Sequence, residues 1–234
     1  MSTIHQYVDE IKRTLDNLPW REIEETIGIL QQARLHDRQV FIMGNGGSAA
    51  TASHFACDLG KGTLMAGRPR FRVISLTDNV PLFSALANDM GYDRVFVEQL
   101  ASLVQPGDVV IGISGSGNSA NVLNALAFAR QVEAITIGFT GFDGGQLKDM
   151  VDVCVHVAND CMEQVEDVHL MLEHLICTEL RRACGAADPA LSERSQAIAL
   201  GLRLVDQSHV YEGGDGVETN RIVVPAAGGG GVSA

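Results

Sequence analysis

The sequence lacks a basic patch. Its 234 residues include 17 Lys and Arg against 29 Asp and Glu, which gives a net charge of -12 with neutral histidines. The nearest approach to a basic run is Arg68, Arg70 and Arg72. Because such a chain gains no long-range attraction to nucleic acid or to an anionic membrane, we expect neither as a partner. An anionic ligand must instead be held by backbone amides and a few hydroxyl groups.

The sequence also predicts neither a secretory leader nor a disulfide framework. Residues 1–5 contain neither a basic nor an apolar run. The five cysteines are an odd number and form no Cys-x-x-Cys pair, which favours free thiols and a cytoplasmic location. One uncharged stretch, 109–129, is interrupted by Gly, Ser and Asn, and therefore predicts strand, loop and helix rather than a membrane span.

Apolar spacing divides the chain into three parts. Residues 1–36 carry apolar side chains at three- and four-residue spacing, which predicts two N-terminal helices. In residues 37–184, short apolar strands alternate with helices, which predicts an α/β sandwich of three layers around a mostly parallel sheet. Residues 185–234 form an extension with several glycine clusters, and we expect it to be partly disordered.

Two segments share one pattern of buried strand, Gly/Ser/Asn loop and helix start, at 40–49 and 109–120. A glycine-rich loop that opens a helix presents backbone amides to an anion, and serine hydroxyls add donors. Neither loop is a Walker A motif, and Ala49 and Ala120 stand where a dinucleotide motif has its third glycine. Tight turns without a ligand and a weak dinucleotide site are the alternatives. The repetition favours an anion site, and we expect no nucleotide cofactor.

Three acidic or histidine features lie outside these loops. His54 and Asp58 are four residues apart on one helix face, where they can bind a metal or transfer a proton. Glu166 and His174 are eight apart on the last long helix, a little over two turns. Spacing alone favours an ordinary solvated surface for both pairs. Asp89 lies near a helix end where the dipole disfavours an acid, a weak indication of a functional role.

Four motifs, in this order, resemble the sugar isomerase (SIS) domain family and, within it, the phosphoheptose isomerase branch. They are Gly44-Asn45-Gly46-Gly47-Ser48, His54-Phe55-Ala56, the run from Gly112 to Val122, and the run from Thr140 to Gly145. The resemblance extends from the N-terminal helices to about Arg182. It implies a five-stranded, mostly parallel sheet between helical layers. It also implies a homotetramer with the N-terminal helices in the oligomer interface.

The resemblance further implies an aldose–ketose isomerase that converts sedoheptulose 7-phosphate to D-glycero-D-manno-heptose 7-phosphate through an enediol. Asp58 and His174 would be the catalytic pair. One zinc ion per subunit would be held by His54, Asp58, Glu166 and His174. The implied substrate-binding residues are Asn45, Gly46, Gly47, Ser48, Asp89, Ser114, Gly115, Ser116, Ser119, Glu163 and Glu166.

The chain also departs from the family pattern. Asp58 stands where the family has glutamate, Glu166 where it has glutamine, and Gly115 where threonine is common. Two alternatives therefore remain: a non-catalytic SIS module that acts as an adaptor or sugar-phosphate sensor, and an isomerase of a different sugar phosphate. Ligand-competent side chains at all four implied metal positions favour an enzyme.

Overall fold

The computed structural model describes residues 3–185, 202–203 and 224–225. Two helices come first, α1 (Thr3–Asp16) and α2 (Trp20–Leu35), as predicted for the N-terminal residues, and Pro19 lies directly before the second. Helix α2 buries Ile23 and Leu30, whose spacing of seven residues places them on one face. Helix α1 is mostly exposed.

A single sheet of five parallel strands forms the centre of the fold, which confirms the predicted fold class. Its strands are β1 (Gln39–Gly44), β2 (Arg72–Ser75), β3 (Val109–Ser114), β4 (Ile135–Thr140) and β5 (Val153–His156). Their order is β2-β1-β3-β4-β5, and all four pairings are parallel. The sheet is thus wholly parallel, where the sequence predicts a mostly parallel one.

Helices cover both faces of this sheet. They are α3 (Gly47–Cys57), a π-helical turn (Asp58–Gly62), α4 (Val80–Met90), a 3-10 turn (Tyr92–Arg94), α5 (Val97–Ala101), α6 (Ala120–Gln131), α7 (Leu147–Met150) and α8 (Met162–Gly185). Helices α2, α3 and α8 pack on one face, and α4, α5, α6 and α7 on the other. Among the described residues, no helix is both long and apolar enough to cross a membrane.

Strands β1, β3 and β4 are buried on both sides, so their side chains alternate between two cores. Val40 and Ile42 face the core that contains Phe55 of α3. Phe41 and Met43 face the opposite core. This double burial explains why the strands appear in the sequence as continuous apolar runs rather than as alternating ones.

The strand order places a topological switch point between β1 and β3. The chain leaves β1 toward β2 on one side and returns to β3 on the other, so the connections diverge at the carboxyl ends of β1 and β3. Ligands of open α/β sheets bind in the crevice at such a point. Both glycine-rich loops follow these two strands and therefore open onto the same crevice.

The C-terminal extension is described only at β6 (Leu202–Arg203) and β7 (Val224–Pro225), which pair antiparallel. The sequence predicts partial disorder for residues 185–234. Apart from residue 185 and these two short strands, those positions lie outside the described residues.

Candidate active site

The two glycine-rich loops are neighbours because β1 and β3 pair directly. Asn45 of the first loop and Asn121 of α6 exchange two amide hydrogen bonds, each 2.9 Å long. The Tyr92 hydroxyl donates a third hydrogen bond, also 2.9 Å, to Oδ1 of Asn45. Two donors therefore fix the carbonyl end of the Asn45 amide. One N–H of that amide remains to donate to a ligand.

The second loop, between β3 and α6, collects the predicted phosphate-binding serines. The Oγ atoms of Ser114 and Ser119 are 3.1 Å apart, so the two hydroxyls are already oriented toward each other. Gly117 has φ +65°, in the left-handed region that glycine adopts without strain. A Cβ at position 115 would lie 2.5 Å from Sδ of Met162, which explains why glycine replaces the larger residue common in the resembled family.

The first loop differs from the second because an acidic side chain lies against it. Helix α3 begins at Gly47, and no side chain caps its N-terminus. A Cβ at Gly47 would overlap the carboxylate of Glu166, so Glu166 of α8 lies directly against the start of α3. Burial raises the pKa of Glu166, and the nearby charges of Glu163 and Asp167 raise it further. This end of the crevice therefore carries an acidic group of the protein itself.

Four ligand-competent side chains converge further along the same two helices: His54, Asp58, Glu173 and His174. One donor atom from each lies within 4.8 Å of the others. Nε2 of His54 and Nε2 of His174 are each 3.9 Å from the Asp58 carboxylate, and the two imidazole rings meet edge to face at 4.8 Å. We call these four residues the His/carboxylate cluster. It confirms that a group able to bind a metal ion is present.

Local helix geometry assembles the cluster. His54 is in the last turn of α3, and Asp58 begins the π-helical turn that continues it. Single π-turns within helices are frequent at functional sites. Glu166 lies against Gly47, and Glu173 lies against His54. The second contact comes seven residues after the first on both helices. Helices α3 and α8 therefore run in the same direction, and the cluster lies about 10 Å along them from the first loop.

Glu173 is the most unusual member of the cluster. Only 1% of its surface is exposed, and neither carboxylate oxygen has a hydrogen-bond partner. Burial and the negative charge of Asp58 raise the pKa of Glu173 to about 8. His54, Asp58 and His174 are partly exposed, so the cluster is open to solvent on one side.

The cluster differs from the predicted metal set in one member, because it contains Glu173 where the sequence predicts Glu166. The reason is distance along α8: Glu166 lies two helical turns before Glu173, and its side chain reaches the first loop instead. A signal for Glu173 is visible in the sequence. Its position falls on the apolar stripe of α8 beside Leu172 and Ile176, where a carboxylate is costly unless it has a partner.

The remaining predicted site residues are less constrained. Asn45, Gly46, Gly47 and Ser48 lie in the first loop or the start of α3, and Ser114, Gly115, Ser116 and Ser119 in or beside the second loop. Asp89 is exposed at the end of α4 and accepts a hydrogen bond from Asn88. Glu163 is exposed in the first turn of α8, where a backbone N–H and the Cys161 thiol lower its pKa. The described side-chain hydrogen bonds of Asp89 and Glu163 are thus with chain neighbours.

Comparisons with known proteins agree with this fold. Residues 6–141 match the sequence model of the SIS domain. The phosphoheptose isomerase of Aliarcobacter butzleri is 40% identical over 155 residues, which are 66% of this chain and 82% of that protein. That of Sulfurimonas denitrificans is 38% identical over 72% of this chain and 87% of that protein. The solved structure of phosphoheptose isomerase from Neisseria gonorrhoeae is similar with a TM-score of 0.70 and 30% identity, covering 76% of this chain and 95% of that one.

Proposed function

The chain belongs to the SIS domain family, and on this premise we propose that it is an aldose–ketose isomerase that converts sedoheptulose 7-phosphate to D-glycero-D-manno-heptose 7-phosphate. The observation that carries the proposal is the His/carboxylate cluster on α3 and α8, the same two helices that meet at the first loop through Gly47 and Glu166. These helices thus connect the glycine-rich loop region, which offers donors for a phosphate, with groups suited to proton transfer. The agreement of several relatives named phosphoheptose isomerase supports the choice of a seven-carbon sugar.

The second loop would hold the phosphate. The hydroxyls of Ser114, Ser116 and Ser119 and the loop amides supply donors without a cationic side chain. The Asn45 amide, fixed by Tyr92 and Asn121, would donate to a sugar hydroxyl. Asp89, Glu163 and Glu166 are proposed to contact the sugar as well. Holding the substrate at both ends aligns its reacting carbons with the cluster.

The reaction moves one proton between neighbouring carbons. A base removes a proton from C1 of the ketose, and the C2 carbonyl gains a proton to give the enediol. Return of a proton to C2 and loss of the C1 hydroxyl proton then give the aldose. We assign these transfers to Asp58 and His174, whose facing atoms are 3.9 Å apart.

The cluster also fits a divalent metal ion, because a buried carboxylate without a partner lies among two imidazoles and a second carboxylate. We propose one zinc ion per subunit, held by His54, Asp58, His174 and one carboxylate of α8. Zinc bound here would supply Lewis-acid stabilisation of the negative charge that develops on the substrate oxygens.

We further propose a homotetramer and a cytoplasmic location. Ile4, Val8 and Trp20 of the N-terminal helices are 75%, 47% and 52% exposed, and such apolar side chains suit an interface between copies. Cys57, Cys154, Cys161 and Cys177 are free thiols, as a reducing compartment favours.

The experiment is turnover of sedoheptulose 7-phosphate, followed by separation of the ketose and aldose phosphates. We expect wild-type protein to form the aldose, and D58A and H174A to lose activity while circular dichroism shows them folded. D149A and H36A replace an exposed acid and an exposed histidine and serve as matched controls. Full activity in D58A or H174A would remove that residue from the catalytic pair. Tight binding of the sugar phosphate without turnover would instead support a sensing module.

A further inference from the structure

Glu173 poses a physical problem that the proposed reaction does not solve. Its carboxylate is 1% exposed, and both oxygens lack hydrogen-bond partners. A buried carboxylate in this condition is costly, because it has lost its hydration and gained no hydrogen bond in return. Such a group in a functional crevice calls for a partner that the polypeptide does not provide.

The neighbours of Glu173 do not supply that partner. Within residues 3–185, its ion pairs are with Nδ1 of His54 at 3.6 Å and Nε2 of His174 at 3.3 Å, and none is with Lys or Arg. Both imidazoles also face Asp58, so two carboxylates compete for the same pair of rings. A positive charge placed among all four side chains would satisfy both carboxylates at once.

The spacing of the donors suits a metal ion. At a tetrahedral zinc ion with bonds of about 2.0–2.1 Å, neighbouring ligand atoms are about 3.4 Å apart. The separations from the imidazole nitrogens to the two carboxylates range from 3.3 to 3.9 Å, with His54 facing Asp58 through Nε2 and Glu173 through Nδ1. When each residue contributes a single donor atom, the four atoms lie within 4.8 Å of one another, so a small adjustment of side chains brings them around one ion. Two carboxylates with two neutral imidazoles also balance the double charge of the ion.

Glu166 is placed for a different role. Its carboxylate lies against Gly47 at the start of α3, two helical turns of α8 from Glu173. It is only partly buried, so water can solvate it, whereas the Glu173 carboxylate has no such access. Of these two glutamates, Glu173 therefore has the stronger need for a cation, and it lies nearer to His54, Asp58 and His174.

We propose that Glu173, rather than Glu166, is the fourth protein ligand of the divalent metal ion, and that Glu166 faces the sugar end of the crevice. This inference deepens the proposed function and rests on it for the presence of a metal. It gives Glu173 and Glu166 separate tasks, one toward the ion and one toward the substrate. It also explains why an acidic residue occupies the apolar stripe of that helix.

The test compares two matched substitutions, E173Q and E166Q, each of which replaces one carboxyl group of the same helix by an amide of the same size. Metal-free wild type and variants are titrated with Zn²⁺ by calorimetry and with Co²⁺ by visible absorption. We expect E173Q to bind more than about a hundredfold more weakly, beyond the ~10–100-fold typical of outer-shell partners. E166Q should keep wild-type metal affinity. E173M, which cannot coordinate through an amide oxygen, should bind no better than E173Q.

Thermal unfolding provides a readout independent of activity. Metal-free E173Q should be at least as stable as metal-free wild type, because it no longer buries an ionisable group without a partner. Zn²⁺ should raise the Tm of wild type and E166Q and leave that of E173Q nearly unchanged. A folded E173Q that shows no Zn²⁺-induced increase in Tm would support the inference even if calorimetric signals were small.

Three results would overturn the inference: metal loss in E166Q with retention in E173Q, equal loss in both variants, or no binding by wild type. The turnover assay separates this failure from that of the proposed function. A wild-type protein that converts the ketose without binding metal would leave the function standing and remove the role of Glu173. A metal-binding protein that converts no sugar phosphate would remove the function, while the comparison of E173Q with E166Q would still assign the ligand.

Discussion

Burial of His169 predicts a loss of stability in mild acid. His169 lies on α8 with 1% of its surface exposed, its ring against Phe139 and its Nε2 3.1 Å from the Thr140 carbonyl oxygen. Its Nδ1 has no hydrogen-bond partner. Burial lowers the pKa of His169 to about 4, and the Thr140 carbonyl opposes this only in part. The folded protein therefore keeps the imidazole neutral where an unfolded chain protonates it.

The sign and size of the effect follow from proton linkage. Between pH 6.5 and 4 the unfolded state binds a proton that the folded state does not, so stability falls as the pH falls through this range. The contribution is fully present above pH 6.5, and its loss is complete below about pH 4. With these two pKa values, acidification from pH 7 to pH 5 lowers the free energy of unfolding by about 2 kcal/mol.

The assay is urea unfolding, followed by circular dichroism at pH 7 and pH 5, for wild type and H169Q. Chelator is present so that metal release does not contribute, and protein concentration is held constant. Glutamine can still donate to the Thr140 carbonyl but does not titrate, so H169Q should lose about 2 kcal/mol less than wild type over this interval. The exposed His36 provides the matched control H36Q, which should follow wild type. An equal acid-induced loss in H169Q and wild type would refute the reasoning.

Three further predictions concern single contacts. Y92F removes the hydroxyl that orients the Asn45 amide and should raise KM for the sugar phosphate about fivefold, the value of one neutral hydrogen bond, with unchanged Tm; an unaltered KM would show that Tyr92 does not orient the amide. G112A places a Cβ 2.8 Å from Leu126 of α6 and should lower the free energy of unfolding by about 1–3 kcal/mol in urea titration, whereas a neutral result would mean that α6 shifts freely. V8E charges the exposed face of α1 and should reduce the oligomer mass measured by light scattering; an unchanged tetramer would exclude that face from the interface.

The sequence allowed the local elements and the fold class to be predicted because both depend on near-neighbour patterns. The strands at 40–43 and 109–113 are continuous apolar runs, as burial on both faces requires. The glycine loops could be predicted for the same reason, since a strand, a glycine turn and a helix start lie within twelve residues in each segment. The pair His54 and Asp58 shares one helical turn, and the structure keeps it together.

The composition of the His/carboxylate cluster could not be predicted in this way. Glu166 and Glu173 lie on the same α8 helix, both close enough in sequence to His174 to be candidates. Which of them faces His54 depends on how far α8 is displaced along α3, and that displacement is set by packing between helices more than one hundred residues apart. A family resemblance indicates which positions of the chain correspond to the family's site residues. It does not indicate which group the side chain at each position contacts. The packing brings Glu173 to the cluster and Glu166 to Gly47.

The sequence by itself thus determined the strands, the two anion-type loops and the absence of a basic patch, because each depends on composition or on residues a few positions apart. Only the tertiary structure decided that β1 and β3 are neighbours, that their loops share one crevice, and that a carboxylate is buried without a partner beside two histidines. Burial and distance between remote segments are properties of the packed chain. They select which of several chemically suitable residues form the site.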